Sequence, residues 1–407
     1  MIKIMSFGHI PSWAGGRQES GLSNVIYQLA KHESELSGVE VTLVATDSFV
    51  PFRKDNRLTI VGWTKASLLV YILQHPIRAI KSFATLVGLK KDYPLKERLL
   101  NLFTKRIFLD KALRSVCPQV LHLHGANSIW YIDLVPENTK VIVTFHGMTG
   151  FDSNVEQHEV LYRMEKDVFL SERVDEVFFI STQLVSDFKI AYGDNGKKNR
   201  VIFNSYDKKH FYYKEEDYHS HPFKNETAPL HKGISLFTVA SLSELKGQFR
   251  VLKALAALPK NERFCYYCIG GDSSGLASQL GEYAKQKRIS FEYLGKMPPP
   301  RIREALRNAD FMIMPSSSEG FGLSYLESIA CGVPVILPRT LPIAKEKNLI
   351  NDKNSILLDD CSVTSIIAVL KHIEDYVFDK KGVASSIAGL SWQQVACQYV
   401  KAFEELL

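Results

Sequence analysis

The sequence predicts an α/β protein built from two doubly wound domains, each with a largely parallel sheet. Short runs rich in β-branched and aromatic residues alternate with helical stretches along almost the whole chain. The alternation stops at 208–232, which is rich in His, Lys, Glu, Asp and Pro and resembles a linker, and then it restarts. A length of 407 residues suits two such domains.

The predicted strands are short apolar runs separated by stretches long enough for a crossover helix. In the first half they are Ile2–Phe7, Val39–Ala45, Leu58–Val61, Val120–His124, Lys140–Phe145 and Glu176–Ser181. In the second half they are Ile234–Ala240, Phe264–Ile269, Phe291–Leu294, Phe311–Met314, Val333–Leu337 and Ser355–Leu358. We therefore expect a first domain at 1–205, a second at 206–390 and a final amphipathic helix at 391–407.

The composition is that of an ordinary globular protein, with 23% charged and 45% hydrophobic residues and a net charge of +6. These values exclude disordered, collagen-like and coiled-coil classes. The N-terminal apolar run ends in His, Pro and Trp, unlike a secretory signal, and no apolar stretch approaches the roughly 20 residues that cross a bilayer. Six scattered cysteines fit free thiols in a reducing compartment, so we expect a cytoplasmic location.

Two cysteines, Cys265 and Cys268, form a C-x-x-C motif inside a predicted strand. Residues three apart on a strand point to opposite faces of the sheet. The motif therefore predicts neither a metal site nor a redox site.

The most informative stretch is 315–336. A buried strand leads into a Ser/Gly loop, a helix begins near Gly322, and Gly332 ends that helix before another buried strand. This order places the backbone N–H groups of Gly322, Leu323 and Ser324 at a helix N-terminus, which favours an anion such as a diphosphate.

Two carboxylates belong to the same stretch. Glu319 lies in the loop before the helix, and Glu327 lies about one and a half turns inside it. Each could hold sugar hydroxyls at opposite ends of a nucleotide sugar. In the alternative interpretation, Glu319 caps the helix and Glu327 is a solvated helix residue.

Two neighbouring predicted strands lead into His-Gly pairs, at His124 and His146. Ligands of doubly wound sheets bind beyond the carboxyl ends of the strands, so either histidine could face a substrate. The alternative for each is a structural histidine with satisfied hydrogen bonds.

The E-x(7)-E frame EGFGLSYLESIACGVPVI resembles the signature of glycosyltransferase family 4, whose members are retaining enzymes with the GT-B fold. Further segments resemble the family's motifs in the same order. They are Ser20-Gly21-Leu22 with NVIYQLAKH, LHLHG, VTFHG, VIFNSYD, VASLSELKG and FEYLGKM. The resemblance implies two Rossmann-like domains facing a central cleft, with a C-terminal helix that crosses back to the first domain.

The resemblance also implies roles for individual residues. The catalytic residues it implies are Glu319, which would contact hydroxyls of the donor sugar, Lys246, which would balance the charge of the diphosphate, and His146, which would bind the donor's sugar or phosphate. The donor-binding set it implies is Gly21, Ser241, Gly247, Leu294, Met297, Gly320, Phe321, Gly322, Leu323, Ser324 and Glu327, with Glu327 on the ribose. Arg17 and His124 would lie on the acceptor side or support the site.

One position departs from the family pattern. The family usually has an Arg five residues before the phosphate-loop Lys, and here that position is Ser241. A serine carries no charge and cannot bind a phosphate in the bidentate way of a guanidinium. Either Arg17 or Arg250 replaces it from a nearby loop, or the enzyme is weakened or inactive.

The reaction implied is transfer of a sugar from a nucleotide sugar to an acceptor hydroxyl with retention of anomeric configuration. The expected donor is a UDP-sugar. The chain has no D-x-D triplet, so we expect no metal and no cofactor. The acceptor implied is a lipid-linked saccharide. It would belong to the synthesis of a bacterial surface polysaccharide such as lipopolysaccharide or capsule. The alternatives are a UDP-sugar 2-epimerase of the same architecture and a non-catalytic sugar-nucleotide-binding paralogue.

The segment 78–114 concentrates positive charge, with ten basic and three acidic residues, so it accounts for the net charge of the chain. Apolar residues at near-helical spacing interleave with the basic ones. This pattern is typical of amphipathic helices on anionic lipid, and it predicts a peripheral position at the inner face of the plasma membrane. The alternative is an ordinary helix pair with a solvated basic face. We expect no nucleic-acid partner, because no recognised nucleic-acid-binding motif accompanies these basic residues.

Overall fold

The computed structural model describes residues 1–17, 20–46, 52–148, 157–218 and 233–407. The chain divides into two units, one made of Met1–Asn204 with Trp392–Leu407 and the other of Ser205–Ser391. Most of the predicted linker, 219–232, lies outside the described residues. Its described part packs on the second unit, where the Arg303 guanidinium lies 3.7 Å from the centre of the Tyr212 ring.

The first unit contains an eight-stranded sheet in the order β3-β4-β2-β1-β5-β6-β7-β8. The strands are β1 Ile2–Gly8, β2 Val39–Ala45, β3 Arg53–Asp55, β4 Leu58–Val61, β5 Val120–His124, β6 Lys140–Phe145, β7 Glu176–Phe179 and β8 Asn199–Val201. Its helices are α1 Gly21–Glu35, α2 Lys65–Gln74, α3 Pro76–Asp92, α4 Leu99–Val116, α5 His158–Leu170 and α6 Thr182–Tyr192. The strands pair in parallel, and the short β3 pairs antiparallel with β4.

The second unit contains a six-stranded parallel sheet in the order β11-β10-β9-β12-β13-β14. Its strands are β9 Ile234–Val239, β10 Phe264–Ile269, β11 Ser290–Gly295, β12 Phe311–Ile313, β13 Val335–Pro338 and β14 Ser355–Leu358. Its helices are α7 Gln248–Ala257, α8 Leu276–Gln286, α9 Pro299–Leu306, α10 Leu323–Ala330, α11 Pro342–Lys345, α12 Val363–Lys371 and α13 Lys380–Ser385.

In each sheet the strand order reverses beside the first strand of the unit, between β1 and β5 in the first unit and between β9 and β12 in the second. Such a reversal opens a crevice at the carboxyl ends of the strands, and ligands of doubly wound sheets bind there. The predicted α/β class with two parallel-sheet domains is therefore confirmed.

The last helix, α14 Trp392–Leu406, belongs to the first unit. It packs against α1, and Phe403 stacks on Phe178 of β7 at 6.1 Å between ring centres. Glu405 accepts hydrogen bonds from Lys198 at 2.8 Å and Arg200 at 2.5 Å, which tie the end of the helix to β8. Residues far apart in the sequence, 1–204 and 392–407, thus form the first unit together.

Twelve strands were predicted, and each has a counterpart within two residues at either end. Glu176–Ser181 proves shorter than predicted because the Ser181 hydroxyl accepts a hydrogen bond from the Leu184 N–H and caps α6. The strands β3 and β8 were not predicted, because each has three residues and neither has an apolar face.

The two cysteines of the C-x-x-C motif are buried in β10. Burial raises the pKa of Cys268 to about 12, so its thiol stays protonated at neutral pH. Among the helices covered by the structure, none combines the length and the apolar character needed to cross a membrane.

Candidate functional site

In the second unit, the loop after β9 carries Lys246 into the start of α7. Gly247 occupies the left-handed region with φ +81°, and a Cβ there would lie 2.6 Å from the Pro315 carbonyl oxygen. Only glycine allows this approach of the loop to the end of β12. The buried Gln248 holds the same loop, with its Nε2 donating to the Ser241 carbonyl at 3.2 Å.

The loop after β12 brings Glu319 to Lys246. The Lys246 Nζ donates to Glu319 Oε1 at 2.6 Å, and the Ser316 hydroxyl donates to the same oxygen at 2.8 Å. The Glu319 side chain is 8% exposed and that of Lys246 is 27% exposed. Two of the three predicted catalytic residues therefore form a mostly buried ion pair.

Glu319 does not cap the helix that follows it. Gly322 is the N-cap of α10, with φ +83°, and it has no side chain to cap the helix. The hydrogen bonds of Glu319 come from Lys246 and Ser316, and not from the first turn of α10. The interpretation of Glu319 as a capping carboxylate is therefore wrong. The half-buried Leu323 and Ser324 form the first turn of α10, next to the exposed Gly320 and the buried Phe321.

Glu327 is the fifth residue of α10 and is half-buried, so it is not a solvated helix residue. Burial raises its pKa to about 7, and the negative charge of Asp207 adds to the shift. The carboxylate of Asp207 in turn accepts a hydrogen bond from His210 Nδ1 at 2.9 Å. The role of Asp207 beside Glu327 was not predicted, although the residue ends the quoted motif VIFNSYD.

The remaining predicted donor-binding residues of this unit lie along the carboxyl edge of the sheet. Ser241 is exposed two positions after β9. Leu294 lies in β11 and Met297 just beyond it, two strands away from β9.

The two arginines proposed to replace the missing phosphate-loop Arg lie in different units of the chain. The Arg250 Nη2 donates to the Leu245 carbonyl at 3.2 Å and to the Pro315 carbonyl at 2.8 Å. This guanidinium is therefore bound to loop backbone. Arg17 is exposed in the first unit, next to residues 18–19 that lie outside the described part of the chain.

In the first unit, the two predicted histidines meet at the carboxyl edge of the sheet. His124 Nδ1 and His146 Nε2 are 3.0 Å apart and share a hydrogen bond. Burial lowers the pKa of His146 to about 4 and holds that of His124 well below its usual value. Both imidazoles are therefore neutral at physiological pH and can each offer one N–H and one lone pair.

Two further residues support these histidines and were not predicted. The Ser6 hydroxyl lies 3.5 Å from His124 Nε2, and the ring of the buried His122 lies 4.3 Å from that of His124. His122 is itself held by a hydrogen bond of 2.7 Å with the Thr144 hydroxyl. His122 also packs 5.3 Å from the Tyr399 ring of α14. The side-chain alternation of LHLHG could have indicated that His122 faces the same side as His124.

Gly21 is the first residue of α1, where Ser20 and Ser23 form a reciprocal capping box. A Cβ on Gly21 would meet no other atom of the described residues within 4 Å. Packing within the first unit therefore does not require glycine there, and its contact with a diphosphate remains a prediction.

Comparisons with known proteins agree with this architecture. The family model described as Glycosyltransferase Family 4 matches residues 20–210, and the model described as Glycosyl transferases group 1 matches residues 220–376. D-inositol 3-phosphate glycosyltransferase of Corynebacterium jeikeium is 32% identical over 182 residues, which cover 41% of this chain and 42% of that relative. An uncharacterized glycosyltransferase of Methanocaldococcus jannaschii is 25% identical over 52% of this chain and 56% of the relative. The chain thus spans about half, or less, of these curated relatives.

Solved structures match the chain over its whole length. Sucrose-phosphate synthase from Thermosynechococcus elongatus matches with a TM-score of 0.72 and 15% identity over 99% of both chains. Anabaena HepE in complex with UDP-glucose matches with a TM-score of 0.69 and 14% identity over 100% of both. Identities this low support the fold alone. The family models and the shared fold together show that the chain belongs to the family 4 (group 1) glycosyltransferases and has the GT-B fold.

Proposed function

We propose that the protein transfers a sugar from a nucleotide-sugar donor to an acceptor hydroxyl with retention of anomeric configuration. The observation that carries this proposal is the Lys246–Glu319 ion pair, close in sequence to the N-terminus of α10, where the N-cap residue is Gly322 and has no capping side chain. Cation, carboxylate and backbone N–H groups are the complement that a sugar diphosphate needs.

The positive groups would act on the leaving diphosphate. When the bond from the sugar carbon to the phosphate oxygen breaks, negative charge grows on that oxygen. Lys246 and the N–H groups of Gly322, Leu323 and Ser324 would stabilise this charge. Because these groups already supply positive charge, we propose that transfer needs neither a metal nor a cofactor.

The acceptor oxygen would attack the sugar carbon on the face that the diphosphate leaves. Its proton would pass to the departing phosphate oxygen as the new carbon–oxygen bond forms, which balances charge without a carboxylate nucleophile. Glu319 would accept hydrogen bonds from the donor sugar, and the neutral His146 would donate one to the sugar or phosphate. Glu327 would accept those of the ribose, and Gly21 would leave room for the diphosphate.

The test is turnover with UDP-, GDP- and ADP-sugars, starting with UDP because the Anabaena relative was solved with UDP-glucose. We expect turnover with one nucleotide, unchanged by a chelator, and NMR of the product should show the donor's anomeric configuration. Loss of turnover in chelator would contradict metal independence. Release of a 2-epimerised sugar would favour an epimerase, and nucleotide binding without turnover would favour a non-catalytic paralogue.

Glu327 should make donor binding depend on pH. Its pKa of about 7 means that the carboxylate is mostly ionised at pH 8 and mostly protonated at pH 6. If the ionised form holds the ribose, KM for the donor should rise about tenfold when the pH is lowered from 8 to 6. The profile of KM against pH checks this, and E327Q should flatten it. An unchanged slope in E327Q would remove Glu327 from the explanation.

We further propose that the acceptor is a lipid-linked saccharide of bacterial surface polysaccharide synthesis, used at the cytoplasmic face of the membrane. The support is an exposed apolar surface on α2 and α3, where Ile77 is 81% exposed, Leu73 71% and Ile80 69%. Exposed basic residues also lie on α3 and in the segment after it, namely Arg78, Lys81, Lys91, Lys96 and Arg98. We call these apolar and basic residues the lipid-facing surface. Apolar side chains bordered by cations suit the interface of an anionic bilayer.

The lipid-facing surface leaves out part of the predicted segment 78–114 and extends before it to Leu73. Arg106 is fully buried and forms an ion pair with Asp133 at 2.6 Å, and Lys105 pairs with Glu97 at 2.7 Å. These basic residues of α4 stabilise the fold and do not face a membrane. The Corynebacterium jeikeium relative is named for D-inositol 3-phosphate, so this soluble phosphate should be tested as acceptor beside lipid-linked saccharides.

Neutralising two exposed cations should weaken binding to anionic vesicles. Each basic residue near such a surface contributes about 1 kcal/mol, so R78Q/K81Q should bind about 30-fold more weakly in a sedimentation assay. The matched control K285Q/K287Q removes two exposed cations from the second unit and should bind like the wild type. Equal binding of all three proteins, or no preference for anionic over neutral vesicles, would contradict this surface.

A further inference from the structure

Arg250 lies in the first turn of α7, where a cation is electrostatically unfavourable because the helix dipole is positive at that end. Its side chain finds compensation in two backbone carbonyls. Nη2 donates to the carbonyls of Leu245, at 3.2 Å, and Pro315, at 2.8 Å. The Nε is buried and has no hydrogen-bond partner within the part of the chain that the structure describes.

The two carbonyls belong to the two loops that form the candidate site. Leu245 immediately precedes Lys246, and Pro315 immediately precedes Ser316, whose hydroxyl binds Glu319 at 2.8 Å. The Ser317 N–H also donates to the Leu245 carbonyl at 2.9 Å. The guanidinium thus connects the backbones from which both members of the ion pair project.

The contact between these loops is tight at the same point. A Cβ on Gly247 would lie 2.6 Å from the Pro315 oxygen and 2.9 Å from Arg250 Nη2. The Pro315 backbone, Gly247 and the Arg250 guanidinium are therefore in direct contact with one another. If the guanidinium is removed, the two carbonyls lose a shared donor, and the loops can move apart.

We infer that Arg250 is a positioning residue that holds the Lys246 and Glu319 loops together for sugar transfer. The inference rests on the proposed function, because it assigns Arg250 to the geometry of that site. It differs from direct phosphate binding, in which the guanidinium would contact the donor itself. A positioning residue should affect kcat, because small displacements of catalytic groups cost up to about 100-fold in rate.

The experiment compares R250A and R250K with K253A, which removes an exposed cation from the same helix. We expect R250A to lower kcat about 10- to 100-fold while UDP binds within about threefold of the wild type. R250K should stay impaired because a lysine lacks the planar fork, and added guanidinium should partly restore R250A. K253A should match the wild type.

A second measurement does not depend on activity. Amine-reactive labelling of Lys246, followed by mass spectrometry, should rise in R250A and R250K and stay unchanged in K253A, because a loosened ion pair exposes the ammonium. Unchanged labelling and kcat in folded R250A would overturn the inference. If R250A lost UDP affinity by as large a factor as it lost kcat, Arg250 would instead be assigned to direct phosphate binding. Absent wild-type turnover with every donor would refute the proposed function, while labelling would still test the positioning role.

Discussion

The E319Q variant is expected to turn over about 100- to 1,000-fold more slowly than the wild type while keeping its fold. The glutamine oxygen can still accept hydrogen bonds from Lys246 and Ser316, which now reach Glu319 Oε1 at 2.6 and 2.8 Å. What is lost is the negative charge, and with it the stronger hydrogen bonds to the hydroxyls of the donor sugar. Steady-state kinetics and circular dichroism measure the two expectations separately.

The matched control for this variant is E374Q. Glu374 is a carboxylate of the same unit, 67% exposed and paired with Arg263 at 2.9 Å. Its neutralisation should change neither turnover nor fold, because exposed ion pairs contribute little. If E319Q were as active as E374Q, the assignment of Glu319 to the transfer site would be wrong.

The second large effect is expected for K246M, which removes the cation proposed to face the diphosphate. We expect kcat/KM to fall about 100- to 1,000-fold, since stabilisation of the leaving phosphate is lost. The change also leaves a carboxylate that is 8% exposed without its cation, so stability should fall by about 1–3 kcal/mol. Kinetics at saturating and limiting donor, together with urea unfolding, measure both effects.

Two comparisons make the result for Lys246 specific. K253M removes an exposed lysine of α7 and should leave kcat/KM unchanged. The double variant E319Q/K246M should lose much less than the product of the single losses, because residues that act as one unit are not additive. Full additivity would mean that the two residues act independently, contrary to their ion pair.

Most of the fold could be predicted because its elements have local signals. Parallel strands are buried on both faces, so runs such as Phe264–Ile269 and Phe311–Ile313 stand out as continuous apolar segments. The strands β3 and β8 are three-residue polar pieces at the two edges of the first sheet, and they form only because a neighbouring strand supplies backbone partners. No periodicity could predict them.

The candidate site was predicted only in part. The motifs named Lys246, Glu319 and His146, and the structure places each in the loop that follows the carboxyl end of a strand. The environment of Glu327 was misjudged in one interpretation because burial and the nearby Asp207 depend on packing. The bonds of Arg250 were also unpredictable, since backbone carbonyls carry no signature in a sequence.

Local sequence was enough to establish the α/β class, the start of α10 at Gly322 and the identity of the residues that carry charge into the site. These features depend on apolar runs, glycine conformation and motif spacing, which act over a few residues. Long-range packing alone decided that Lys246 and Glu319, 73 positions apart, meet at 2.6 Å, and that the final helix completes the first unit. Hydrogen bonds between distant segments depend on how the strands are ordered in the sheet, and that order is a property of the whole fold.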